Sequence, residues 1–158
     1  MLEQNHEFYL RAALKEARRA LDENEIPIGA VIVFNNQIIA RAHNQKERLK
    51  DPTAHAEMIA LTQAANYLDN WRLLNTTLYV TVEPCAMCAS ALVQARVNTL
   101  VYGTNDSRMG ACGSIWNLVR NKHSDHQIEV ISNILSDECR ELLQKFFRRR
   151  RQQKQEII

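Results

Sequence analysis

Residues 77–103 read TLYVTVEPCAMCASALVQARVNTLVYG. Thr77 to Val82 is rich in β-branched and aromatic side chains and predicts a strand. Cys85 to Ala95 is alanine-rich and predicts a helix, with Pro84 at its mouth, where a residue without an amide hydrogen leaves no donor unpaired. Asn98 to Gly103 reads as strand again. Strand, helix and strand in succession require a crossover, so the two strands should run parallel in one sheet.

Toward the N-terminus, residues 5–22 carry Leu10, Ala13, Leu14, Ala17, Ala20 and Leu21 at spacings of three and four, the apolar stripe of a helix. Ile28 to Phe34 and Gln37 to His43 predict an antiparallel hairpin closed by Asn35-Asn36, since asparagine accepts the positive φ of a tight turn. A polar loop then leads to a helix over Ala54 to Leu68. Toward the C-terminus, residues 104–127 read as a long loop holding Gly110, Gly113 and Ser114, with a short helix around Ile115 to Arg120. A strand over Ile128 to Ile131 follows, and then a helix at about 136–154, with Ser136 as its N-cap, Asp137 and Glu138 in its first turn, and Arg148-Arg149-Arg150-Arg151 near its end. The expected fold is α/β: a three-layer α/β/α sandwich with a mixed five-stranded sheet, forming one domain over residues 1–158.

The chain has 158 residues, 46% hydrophobic and 24% charged, with four Gly and three Pro, which argues against a linker-rich, collagenous or disordered protein. Its apolar run Ile28 to Phe34 is far shorter than the ~20 residues of a bilayer span. The first residues lack the basic start and apolar stretch of a signal peptide, so a cytoplasmic location is expected, where thiols stay reduced. The four cysteines therefore read as ligands or core residues. The net charge of +2 is unevenly divided: residues 1–139 hold 13 Lys/Arg against 16 Asp/Glu, and residues 140–158 hold 7 against 2. A basic tail on an acidic body suggests a polyanionic partner near the C-terminus, with a solvated helix end as the alternative.

The chemistry is expected at two helix mouths. His55-Ala56-Glu57 opens one, and Pro84-Cys85-Ala86-Met87-Cys88 opens the other. Two cysteines three apart at a helix start can hold one ion, and the free N–H groups there favour thiolate. His55, Cys85 and Cys88 make three ligands, and no second Cys-x-x-Cys supplies a fourth. Structural zinc sites close with four protein ligands, so three leave a position for water and mark a catalytic site. Glu57 is close enough to reach that water and too near His55 in sequence for both easily to bind the same ion, which makes it the natural proton carrier. A redox Cys-x-x-Cys is the competing reading, made remote by the His-x-Glu upstream. Cys112 and Cys139 read as small buried residues.

His-x-Glu with Pro-Cys-x-x-Cys resembles the signature of the zinc nucleobase deaminases. Within them the chain is similar to the bacterial tRNA-specific adenosine deaminases over nearly its whole length. The similarity is carried by Ile26 to Val31, His43-Asn44, Asp51 to Glu57, Leu78 to Cys85 and Asp137-Glu138-Cys139. The resemblance implies a cytidine deaminase-like fold, a homodimer, one zinc ion per subunit and conversion of the wobble adenosine of a tRNA anticodon stem-loop to inosine. It implies zinc on His55, Cys85 and Cys88, proton transfer by Glu57, orientation of the base by the Ala56 N–H, and a hydrogen bond from Asn44 to the purine edge. Around these, Asp106 suits a ribose 2′-OH and Arg108 a phosphate, while Phe147 offers a stacking face beside Arg148, Arg150 and Arg151. The pattern departs from the family at Arg108, commonly Lys, and at Ser90, often Gly. Deamination of a free base or nucleoside such as guanine or cytosine is the second reading, and a zinc-stabilised RNA-binding module without activity the third.

Overall fold

A computed structural model describes residues 5–157. Helix α1 (His6–Asp22) starts at Asn5, whose Oδ1 accepts the Phe8 N–H at 3.0 Å. Strands β1 (Gly29–Phe34) and β2 (Gln37–His43) form the expected hairpin, with Asn35 and Asn36 at φ of 49° and 59°. A one-turn helix, α2 (Lys46–Leu49), interrupts what the sequence suggests is plain loop. Helix α3 (Ala56–Leu68), strand β3 (Thr76–Val82), helix α4 (Ala86–Gln94) and strand β4 (Thr99–Thr104) follow, then β5 (Glu129–Ile131) and α5 (Ser136–Glu156).

The sheet order is β2-β1-β3-β4-β5. β1 pairs antiparallel with β2 and β3, while β3, β4 and β5 are mutually parallel, as the crossover requires. Alternation along each strand feeds two cores. Ala30, Ile32, Leu78, Val80 and Leu100 pack with α3 and α4, and Val31, Val33, Tyr79 and Val101 pack with α1 and Cys139 of α5. β3 is central and buried along its whole length. Gly29 lets β1 lie directly against α1, since a Cβ there would run into the Ala13 carbonyl and the Ala17 amide. Among the described residues no helix is long and apolar enough to cross a membrane.

Two expectations are corrected. Residues 115–120 form no helix: the Leu118 N–H reaches back across the loop to the Ala111 carbonyl at 2.9 Å, and Cys112 and Asn117 make an isolated bridge. Ser136 is the first helical residue of α5 rather than its cap. Leu135 holds the cap position at φ 54°, and the Ser136 hydroxyl accepts Arg140 Nη2 at 3.2 Å.

Candidate active site

The helix mouths meet beyond the carboxyl ends of the parallel strands, where open α/β sheets bind ligands. His55 and Cys85 are the N-cap residues of α3 and α4, and both have extended backbone without a side-chain capping bond. Their side chains turn to each other instead. His55 Nδ1 lies 3.6 Å from Cys85 Sγ and 3.4 Å from Cys88 Sγ, and all three ligand atoms fall within 4.8 Å of one another. Zinc bonds of about 2.3 Å to sulfur and 2.0–2.1 Å to nitrogen, in a tetrahedron, put such atoms about 3.6 Å apart. The donor set therefore fits zinc in type and spacing. Cys112 and Cys139 are buried and free, and neither joins the cluster.

Electrostatics within the cluster follow from who donates to whom. The Cys85 thiol is pulled down to about 4, chiefly because Cys88 donates an S–H to it, with His55 adding to the effect against burial. Cys88, the donor of that bond, is pushed up, and burial adds to it. The His55 imidazole is raised, mainly by its bond to Cys85. Glu57 is 3% exposed and its carboxyl is raised, first by loss of solvation. Among the described residues its Oε1 is buried without a hydrogen-bond partner.

A cleft of about 510 Å³ opens over this cluster, lined by His55, Glu57, Cys85 and Asn44 on one side and by Asp106, Arg108 and Phe147 on the other. Asn44 is 2% exposed, and its Oδ1 accepts the Ala56 N–H at 2.8 Å, leaving Nδ2 without a protein partner among the described residues. The Ala56 N–H, which the family resemblance assigns to the base, is thus taken by Asn44. Asp106 Oδ1 accepts the N–H groups of Arg108 and Met109 at 3.0 and 3.1 Å, a tight turn that uses only one carboxylate oxygen. Phe146 is buried and Phe147 is 43% exposed, so one aromatic anchors α5 and the other faces the cleft. Arg148, Arg150 and Arg151 lie outside the cleft and line an adjoining groove of about 700 Å³ that shares Arg108 and Phe147 with it. Arg150 also stacks on Phe146, 5.0 Å from the ring centre.

Lys46, Leu143 and Glu83 are among the cleft residues not singled out from sequence. Lys46 sits at the start of α2, two residues after Asn44, and Leu143 lies one helical turn before Phe147. Glu83 is a lone carboxylate closing an apolar strand directly before Pro84-Cys85, and that placement was the available signal.

Metal-dependent deaminases of the cytidine deaminase superfamily are the class that this sheet order and donor set define. The MafB19-like deaminase model matches residues 4–151. The tRNA-specific adenosine deaminase of Bacillus subtilis (strain 168) is 47% identical, over 94% of this chain and 92% of that one. A structure solved in work on A-to-I editing by tRNA:A34 deaminases at the wobble position of transfer RNA superimposes with a TM-score of 0.83 at 40% identity, over 86% of this chain and 99% of that one. Guanine deaminase from Bacillus subtilis is 38% identical, with a TM-score of 0.62, over 65% of this chain and 66% of that one. The chain belongs to the tRNA-specific adenosine deaminases.

Proposed function

We propose that this protein is a zinc-dependent hydrolase that converts adenosine at the tRNA wobble position to inosine. The observation that carries the reading is convergence. Asp106, Arg108 and Phe147, each suited to nucleic acid, line the same cleft as the metal cluster and Glu57. A base must leave its stack to reach such a cleft, and an anticodon loop presents unpaired nucleotides at small cost.

When bound to His55, Cys85 and Cys88, zinc supplies the Lewis acidity that lowers the pKa of water from 15.7 to about 7. Glu57 carries the protons. Its Oε1 takes one proton from water and passes it to the purine ring nitrogen as the water oxygen adds to C6, then takes the second proton from that oxygen and gives it to the amine as the C6–N bond breaks, so that adenosine and water become inosine and ammonia. Burial raises the carboxyl and so favours its proton-carrying form. Asn44 donates from Nδ2 to the purine edge, and the Ala56 N–H orients the base at one remove, by fixing the Asn44 amide. The second oxygen of Asp106 accepts the ribose 2′-OH, and Phe147 stacks on a neighbouring base. Arg108, Arg148, Arg150 and Arg151 meet phosphates along the groove. The homodimer reading is supported by Ile115 and Trp116, large apolar side chains about half exposed on the loop after β4. A cytoplasmic location suits thiols that must stay reduced to hold metal.

The test is a substrate panel for the zinc-loaded protein: an anticodon stem-loop with wobble adenosine, free guanine and free cytidine. Inosine in the stem-loop is expected. Turnover confined to a free base would replace this reading with the second one.

Asn44→Asp keeps the acceptor for the Ala56 N–H and removes the amide donor. Its kcat/KM on the stem-loop should fall about 10- to 100-fold, with the fold intact by circular dichroism.

On α5, Gln144, Phe147, Arg148, Arg151 and Lys154 share one helical face along the groove. Removing residues 148–158 should weaken stem-loop binding while leaving zinc content unchanged. At ~0.7 per phosphate contact for single strands, losing about five cations should flatten the slope of log affinity against log salt by about 3 to 4. An unchanged slope would make the arginines a solvated helix end.

A further inference from the structure

Glu83 directly follows β3 and is 3% exposed, yet nothing in the deamination chemistry uses it. Its carboxylate is the hub of the loop that walls the cleft. Oε1 accepts the Asp106 N–H at 3.1 Å and the Ser114 hydroxyl. Oε2 accepts the N–H groups of Cys112 and Ser114 at 3.0 and 3.1 Å. Four donors, drawn from both ends of a nine-residue span of loop, thus converge on one side chain. The adjacent Pro84 carbonyl takes a fifth donor, the Ala111 N–H, at 2.9 Å. Gly110 makes the approach possible, since a Cβ there would sit 2.5 Å from the Glu83 carboxyl.

We infer that Glu83 is a positioning residue for the substrate: its buried carboxylate folds residues 105–114 into the wall that presents Asp106 and Arg108 to the RNA. Bonds to an ionised acceptor are the stronger kind, and a buried carboxylate with four donors has little freedom to leave them. The same segment, Glu83 to Cys88, therefore sets two things at once. Its far end supplies sulfur to the metal cluster, and its near end fixes the loop across the cleft from that cluster. Because Asp106 enters its turn immediately after donating to Glu83, a displaced anchor moves both the carboxylate that meets the ribose and the Arg108 that follows it. Glu83 touches no reacting atom, so the consequence falls on capture of the substrate rather than on the chemical step. The inference rests on the tRNA deaminase reading for the identity of that substrate.

Glu83→Gln replaces one acceptor oxygen with a donor, which opposes at least one N–H group whichever way the amide turns. In the zinc-loaded full chain, KM for the anticodon stem-loop should rise about tenfold or more while kcat stays within about threefold, the pattern of lost binding rather than lost chemistry. Zinc should remain at one per chain. Ser114→Ala removes only the hydroxyl donor and should raise KM in the same direction by about threefold, which keeps the test decisive if the first variant does not fold. Amide exchange at Asp106, Cys112 and Ser114 needs no substrate and should accelerate at least about tenfold in Glu83→Gln. A wild-type chain that makes no inosine while the variant's amides exchange faster would overturn the substrate reading and leave the anchor standing. An unchanged KM in both variants, unchanged exchange, or a loss of kcat and zinc at constant KM would overturn the positioning role.

Discussion

Glu57→Gln is expected to lower kcat for inosine formation by about 10⁴-fold while zinc stays bound at one ion per chain. The amide matches the carboxyl in shape, so packing at the mouth of α3 should survive, and Glu57 is not among the three ligand residues. What disappears is a group able to accept a proton and return it. No nearby group replaces it, since the Asn44 amide does not titrate, and the imidazole and sulfurs of the cluster are committed to the cation. The orphan Oε1 gives the prediction its structural basis: a buried acceptor with no partner among the described residues is a cost to folding that its part in catalysis explains. Single-turnover assays on an anticodon stem-loop, run beside metal analysis, measure both quantities. A variant that keeps its turnover would make Glu57 a bystander and leave a zinc-stabilised binding module as the better description.

Stripping zinc should abolish turnover, and adding it back should restore it, with an apparent affinity that climbs as pH rises. The sign follows from the metal-free cluster. Cys88 is pushed up as the donor to Cys85, so near neutrality it carries a proton that a cation must displace, and the raised His55 adds a second as pH falls. Cys85, drawn down to about 4, is already thiolate and contributes no such dependence above that pH. Affinity should therefore rise about tenfold per pH unit for each proton displaced, with the steeper part on the acid side. Competition against a chelating dye between pH 6 and 8 reads the slope, and a flat profile would contradict the protonation pattern assigned to the cluster.

Features decided by neighbours in the chain were legible in the sequence. The Asn35-Asn36 turn, the parallel crossover from β3 through α4 to β4, and the ligand trio each follow from residue type and short spacing. What was not legible depends on distant partners. The segment around Ile115 has helix-compatible residues, but Gly113 at φ 136° and the pull of Glu83 on Cys112 and Ser114 commit the backbone to another path. Ser136 is a good cap by type and is displaced by a left-handed Leu135. The family resemblance gave the Ala56 N–H to the base, and nothing local in the sequence reveals that Asn44, twelve residues earlier, accepts it.

Zinc K-edge X-ray absorption on the loaded protein tests the central claim most directly. Two sulfur donors and one imidazole from the chain, with no further protein donor, are predicted. A third sulfur, such as Cys112 would bring, or a second imidazole would close the site and contradict a hydrolase built on these residues.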